Sequence, residues 1–197
     1  MPAVVNETQI CNMALSVAGA KTLIGDFGTI EDSEEWRMCN AFLWQVIFEV
    51  MSAGPWPFAM TRTELAMDAT DPAFGPYDHR YVLPLDVLRI IAQVDEDDDE
   101  TTYEYKKEGG YLLTSEDTCF IRYIQKVETL ERFPPLFITA VYTRLATVIR
   151  NRLRGADDWY LRLYRDYKEV LQDALGNCLQ EAYEDSGNND IIEAADE

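Results

Sequence analysis

Apolar residues recur at helical spacing in the first and last parts of the chain. Asn6 precedes Gln9 by three residues, which is the arrangement of a capping box. The following residues are apolar at every third or fourth position, and Gly19 is a natural stop. The pattern therefore predicts a first helix from about Glu7 to Ala18.

A second helix is predicted to begin after Ser33, a favourable N-cap, and to end at Gly54-Pro55. It has two apolar stripes about 100° apart around the helix axis. The first stripe contains Cys39, Phe42, Leu43, Val46 and Val50, and the second contains Trp44, Ile47, Phe48 and Met51. A helix with two apolar faces is either deeply buried or shared with a neighbouring chain, and the sequence leaves both open.

The middle of the chain changes to the patterns typical of strands. Extended segments are predicted at 58–67, 81–83, 86–94 and 118–124. Residues 102–114 are predicted to form a hairpin, because Gly109-Gly110 supplies the positive φ angles of a tight primed turn.

Helical spacing returns after Pro134-Pro135, since proline is tolerated in the first turn of a helix. Gly155 is expected to end this helix, and Asp157-Asp158 favours the start of another. After Asp185 the composition predicts a flexible tail over 186–197.

The order of elements predicts an α+β fold in a single domain spanning 1–197. The two helical parts, 7–55 and 134–185, each have a wide apolar face, so they are expected to pack together as one bundle. The β-rich middle, 56–130, is then an insertion that projects from the bundle.

The amino-acid composition excludes some classes of function. Hydrophobic residues make up 47% of the chain, which argues against general disorder. Acidic residues number 36 against 17 basic ones, giving a net charge of −19. A chain this acidic is a poor general binder of phosphate backbones and gains nothing from an anionic membrane surface. No membrane partner and no signal peptide are expected.

The candidate metal and catalytic groups are few. The four cysteines form no C-x-x-C pair and are expected to be reduced, buried thiols. The acidic run 95–100 lacks the glycine and spaced glutamate of a calcium loop, so no metal is expected. The sequence has no Gly-rich phosphate cradle such as G-x-x-x-x-G-K-[ST], so no cofactor is expected. The Asp78-His79 pair suggests a catalytic base, but the sequence contains no motif for a nucleophile such as G-x-S-x-G. No catalytic residue is predicted, and a small hydrolase using these or other carboxylates stays as the alternative.

Charge is unevenly distributed near the C-terminus. Residues 144–168 (the basic band) contain seven basic and three acidic side chains, a net of +4, whereas 169–197 contains nine acids and no base. The band could bind nucleic acid or pair with acidic surfaces of identical neighbours, and the net charge favours the second. Arg152 is in phase with the apolar stripe of its helix, so it either lies along the core or makes an interchain pair, while Arg150 and Arg154 point roughly the other way.

Four stretches occur in an order and spacing that resemble a known family. They are Cys11–Ala20 (CNMALSVAGA), Glu34–Trp44 (EEWRMCNAFLW), Gly54–Ala59 (GPWPFA) and Tyr81–Arg89 (YVLPLDVLR). Together they resemble the head-to-tail adaptors of tailed bacteriophages, called tail tubular protein A in short-tailed phages. The Trp-x-Phe-Ala step and the Leu-Pro-x-Asp turn are the most specific parts, and the resemblance covers about 7–185.

The resemblance implies a non-enzymatic virion protein at the head–tail junction, assembled in the host cytoplasm. It implies a homo-oligomeric ring, a dodecamer, beneath the portal protein, which extends the DNA channel and supports the tail nozzle or the next tail component. DNA would pass through without specific binding. The C-terminal segment would dock on the portal through Tyr183, Ile191 and Ile192. The subunit interface is predicted at Trp44, Phe48, Arg150, Arg152 and Arg154.

Overall fold

The computed structural model of the chain describes residues 6–30, 33–70, 72, 74–95, 100–101 and 103–193, with side chains as far as Cys178. Within these residues, four α-helices and two three-stranded antiparallel sheets give a mixed α+β fold, as predicted. The helices are α1 (Glu7–Ala18), α2 (Glu34–Ser52), α3 (Pro135–Arg154) and α4 (Asp158–Glu193). The strands are β1 (Met60–Glu64), β2 (His79–Val82), β3 (Val87–Val94), β4 (Lys106–Glu108), β5 (Tyr111–Thr114) and β6 (Phe120–Gln125).

α1 begins and ends where the sequence predicts. The Gln9 N–H donates to Asn6 Oδ1 at 2.9 Å and the Asn6 N–H donates to Gln9 Oε1 at 3.2 Å, so the capping box is complete. Gly19 ends the helix at a φ of 71°, a left-handed conformation that favours glycine. The amide of Asn12 then holds the next loop, because it bonds both the N–H and the C=O of Ile24 at 2.9 Å.

α3 is the central helix of one compact unit, formed by the described residues up to Phe58 and from Val127 onward. It packs against α1, α2 and α4, so its buried residues occupy more than one stripe. They are Phe137, Ile138, Ala140, Val141, Thr143, Leu145, Ala146, Thr147 and Ile149. The two buried hydroxyls donate to carbonyls of their own helix, at 2.7 Å from Thr143 to Thr139 and 2.6 Å from Thr147 to Arg144. Both are therefore satisfied without water.

An aromatic cluster joins the segment after α2 to the start of α3. The rings of Trp56 and Phe137 meet edge to face at 4.9 Å, and Phe58 lies 5.4 Å from Phe133 and 4.9 Å from Phe137. Trp56 is fully buried, and its indole N–H donates to the Val50 carbonyl at 2.9 Å. These contacts place residues 56–58 with the helices, whereas the sequence assigned them to the β-rich insertion.

The described residues between Ala59 and Lys126 form a second compact unit. Its sheets have the strand orders β1-β6-β3 and β2-β5-β4. Gly109 and Gly110, at φ angles of 58° and 87°, make the predicted turn between β4 and β5. Both sheets contribute to one core, which contains Leu65, Tyr81, Leu83, Leu112, Cys119, Ile121 and Tyr123.

Asp86 fixes the turn between β2 and β3. Its carboxylate accepts hydrogen bonds from Gln125 Nε2 at 2.8 Å and from the Tyr123 hydroxyl at 3.5 Å. Its carbonyl accepts from the Lys126 N–H at 2.8 Å. The Leu-Pro-x-Asp turn is thereby tied to the end of β6.

The C-terminal segment differs from the prediction of a flexible tail at 186–197. α4 continues as a helix to Glu193. Gly176 and Gly187 are isolated, and each costs a helix only about 1 kcal/mol relative to alanine. The sequence has no proline after Pro135 that would break the helix. Residues 194–197 lie outside the described part of the chain.

Trp56 provides a test of the aromatic cluster. We expect Trp56→Ala to lower the free energy of unfolding by about 3–5 kcal/mol, because it leaves a cavity and removes the indole hydrogen bond to the Val50 carbonyl. Urea denaturation followed by far-UV circular dichroism measures this loss. Trp159→Ala is the matched control, since Trp159 is 49% exposed, and it should cost about 1 kcal/mol or less. Equal losses in the two variants would contradict the assignment.

Candidate functional site

The basic band lies on α3, the α3–α4 turn and the first half of α4, and part of it is used inside the subunit. Arg144 Nε donates to Glu49 Oε1 on α2 at 2.8 Å. The guanidinium lies 5.9 Å from the Tyr164 ring centre and 5.6 Å from that of Tyr167. Lys168 Nζ approaches Tyr164 at 5.4 Å from α4 itself. Arg144 therefore links three helices by an ion pair and cation–π contacts.

Arg150 is also engaged within its own subunit. Its guanidinium pairs with the Asp157 carboxylate, lies 5.5 Å from the Trp159 ring centre, and donates to the Ala18 carbonyl at 3.4 Å. Only 17% of its side chain is exposed. The prediction that Arg150 points away from the packed face is wrong, because the C-terminus of α1 and the start of α4 both meet it there.

The Asp157 carboxylate serves two partners at the start of α4. It receives the Arg150 guanidinium, and its Oδ1 accepts the Tyr160 N–H at 2.8 Å as an N-cap. The hydrogen bond from Arg150, followed by that of the Tyr160 N–H, lowers the pKa of Asp157 below its ordinary value of 3.8. This acid therefore joins the end of α3 to the start of α4.

The remaining arginines of the band face solvent. Arg152, Arg154, Arg162 and Arg165 are exposed. The Arg152 guanidinium lies 5.3 Å from the Phe42 ring centre, so its stem follows the apolar surface while its side chain reaches water. On α4, the side chains facing away from buried Leu163 and Tyr167 include Leu161, which is 57% exposed. We call these exposed side chains, with Trp159, the basic–aromatic set.

α2 buries most of both apolar stripes within the subunit. Cys39, Leu43, Val46, Ile47, Val50 and Met51 are buried. The aromatic members Phe42, Trp44 and Phe48 are only half-buried. The Trp44 indole N–H donates to Glu7 Oε1 at 2.8 Å, and its ring lies 5.6 Å from that of Phe48. The helix is therefore largely internal, with an aromatic strip reaching the surface.

The predicted docking residues Tyr183, Ile191 and Ile192 all lie in the part of α4 for which the structure describes the backbone. They are thus on a helix, where the sequence predicted a flexible segment for the last two. Their side chains lie beyond the part of the chain described in full.

His79, the alternative base, pairs with a residue that the sequence did not single out. Its Nε2 lies 3.5 Å from Asp117 Oδ1, and the Asp117 side chain is 98% exposed. Its Nδ1 is buried and has no hydrogen-bond partner among the described residues. Among the described residues, neither ring nitrogen of His79 has a hydroxyl or thiol as its partner.

The four cysteines are free thiols, three of them buried and Cys178 partly exposed. A hydrogen bond to Cys39, followed by burial, raises the pKa of Cys11 far above its ordinary value. Among the described residues, no three histidine, cysteine or acidic side chains group as metal ligands, and residues 96–99 of the acidic run lie outside that set. No helix of the described residues is long and apolar enough to cross a membrane.

No known protein family matches this chain, and no curated protein is significantly similar to it. The residues on which the phage-adaptor resemblance rests have structural roles: Trp56 and Phe58 belong to the aromatic cluster, and Asp86 fixes a turn. The four exposed arginines of the basic band, Arg152, Arg154, Arg162 and Arg165, lie outside those motifs.

The Asp157 pair predicts a dependence of stability on pH. Because the folded-state pKa is lowered, the carboxylate stabilises the fold above its ordinary value of 3.8, and this contribution is lost as the pH falls through the lowered value. Asp157→Asn retains a cap acceptor but removes the charge. We expect it to be less stable than wild type at neutral pH, with the difference shrinking in acid, as measured by urea denaturation.

Asp158→Asn is the control for that experiment. Asp158 is exposed and lies at the next position, so the substitution changes the same formal charge near the same helix terminus. A loss at neutral pH as large as that of Asp157→Asn would show that general helix-end charge, rather than the Arg150 pair, is responsible.

Proposed function

We propose that this protein is a structural head-to-tail adaptor of a tailed bacteriophage. In this role, copies form a ring beneath the portal, extend the DNA channel and provide a platform for the tail nozzle or the next tail component. The proposal begins from the four ordered motifs. The observation that carries it further is the length of α4.

α4 has 36 residues, whereas α3 has 20. At about 1.5 Å per residue, α4 is roughly 54 Å long and α3 roughly 30 Å. A short turn joins the two helices, so they run side by side from their junction. About 16 residues of α4 therefore extend further along its axis than α3 can cover. This part contains the segment that the resemblance assigns to the portal, and a helical arm suits that docking.

The basic–aromatic set supports contact between copies. Arg152 and Arg154 are exposed, and each copy has a large excess of acidic residues available as partners. Copies with a net charge of −19 repel one another unless basic patches meet acidic ones. The half-buried aromatic strip of α2, with Trp44 and Phe48, offers apolar area of the kind found in interface cores.

The net charge also suits a DNA conduit. An acidic channel wall repels phosphates, so DNA would pass without the retention that arginine and lysine contacts produce. The exposed arginines would then lie between subunits and away from the channel. In this proposal no bond is made or broken by the protein.

Portal attachment tests the helical arm. We expect a variant lacking residues 186–197 to lose most of its attachment to the cognate portal while retaining the circular dichroism of a folded chain. Negative-stain images and co-sedimentation with purified portal measure attachment. Ile191→Asp with Ile192→Asp should weaken attachment similarly, whereas Asn188→Asp with Asn189→Asp adds the same charge without removing the apolar pair. Full attachment of the truncated chain would overturn the docking assignment, and no ring with the intact chain would overturn the adaptor.

Contact between copies is tested at Arg154. We expect Arg154→Glu to reduce the yield of rings on the portal several-fold, because it places an acid where acidic partners must approach. Lys21→Glu, at another exposed site, is the matched control and should leave the yield unchanged. Strong, salt-sensitive DNA binding by the wild-type chain, abolished by Arg154→Glu, would instead favour a nucleic-acid module.

A further inference from the structure

The unit formed by the described residues between Ala59 and Lys126 contains a cavity of about 250 Å³. It lies beside the end of β3 and the start of β6. Its lining residues are Gln93, Val94, Asp95, Thr101, Tyr103, Glu116, Thr118, Cys119 and Phe120. A cavity of this volume holds a functional group of a few heavy atoms together with water.

Two buried polar atoms of this lining are unsatisfied. Gln93 is 5% exposed, and its Nε2 contacts Cys119 Sγ at 3.7 Å, but its Oε1 has no partner among the described residues. Thr101 Oγ1 is likewise buried without one. An unpaired buried acceptor is costly, so a ligand that donates N–H groups to these oxygens would be favoured over an empty site.

The charge of the cavity indicates a cation. The described lining residues include the half-buried carboxylate side chain of Glu116 and no basic side chain. Negative charge on the lining and oxygen acceptors within it fit a ligand that is positively charged and acts only as a donor.

The residue types of the lining favour one kind of organic cation over another. Tyr103 and Phe120 add two aromatic rings to the oxygen acceptors. A guanidinium is planar, has five N–H donors pointing outward, and stacks on aromatic faces, whereas an alkylammonium is a compact, strongly hydrated charge. Burial of a guanidinium in this cavity therefore costs less desolvation and satisfies more acceptors.

We propose that this cavity is a guanidinium-binding site and that its ligand is an arginine side chain of a second copy of this chain. The identity of the donor rests on the proposed self-assembly. Arg152, Arg154, Arg162 and Arg165 are exposed on every copy, and their charge complements the lining. One copy would thus provide the arginine and the next would provide the cavity, which is a heterologous contact of the type that closes rings.

The site itself is tested on the free, full-length chain with ethylguanidinium as the probe. The measurement is the NMR shift of the Gln93 side-chain amide, with ethylammonium and Ca²⁺ at equal ionic strength as competing probes. We expect saturable shifts in the millimolar range with ethylguanidinium and at least several-fold weaker binding of ethylammonium. Equal responses to the two organic cations, preferential binding of Ca²⁺, or no saturable shift would each overturn the site.

Variants locate the binding. Glu116→Gln is expected to weaken ethylguanidinium binding several-fold, followed through the Gln93 amide. Thr101→Val should also weaken it, whereas Thr129→Val, at an exposed position outside the lining, is the matched control. If Thr101→Val does not fold by circular dichroism, Glu116→Gln decides alone, since Glu116 is only half-buried. Unchanged affinity in Glu116→Gln would contradict the proposal.

The source of the arginine is tested by mixing. Excess unlabelled wild-type chain should shift the Gln93 amide of a labelled chain, and excess chain with the four exposed arginines changed to glutamine should not. Ethylguanidinium binding without any effect of the wild-type chain would overturn the second copy as donor while leaving the site. Rings on the portal that form without ethylguanidinium binding would overturn the site while leaving the adaptor.

Discussion

Enclosure of α3 by α1, α2 and α4 is the constraint on which the helical unit depends. A helix surrounded on several sides has little surface for charged side chains, so α3 buries small residues such as Ala140 and Ala146 beside large ones. The Thr143 and Thr147 hydroxyls also donate hydrogen bonds to backbone carbonyls of α3 itself. Two largely buried arginines of α3 are each paired with an acid, Arg144 with Glu49 and Arg150 with Asp157.

Features that depend on neighbours in sequence were predictable. The capping box at Asn6, the Gly109-Gly110 turn and the bounds of α1 each follow from a few adjacent residues, and all agree with the structure. Periodicity also gave the mixed α+β composition. The limits of the β-rich insertion were misplaced, because Trp56 and Phe58 look like the start of a strand but pack on Phe137.

Features set by tertiary neighbours were not predictable. The helical phase of Arg150 pointed it outward, yet α1 and Asp157 arrive there from distant parts of the chain. Asp117 joins His79 only through the pairing of β2 with β5, and sequence spacing does not encode that pairing. The sequence could not predict that Gln93 Oε1 lacks a hydrogen-bond partner, because this depends on how Cys119 and Phe120 pack beside Gln93. A composition rich in Asn, Gly and Asp made the end of α4 look unfolded.

The two compact units differ in how far apart in time their parts are synthesised on the ribosome. The strand unit occupies one uninterrupted stretch, so its sheets can pair as soon as β6 emerges. α1 and α2 are synthesised first but must wait for α3, more than a hundred residues after α1. During translation their apolar faces remain without the helix that covers them. The growing polypeptide is thus most exposed to misassociation before its central helix is made, and shielding by cellular chaperones would matter most in that interval.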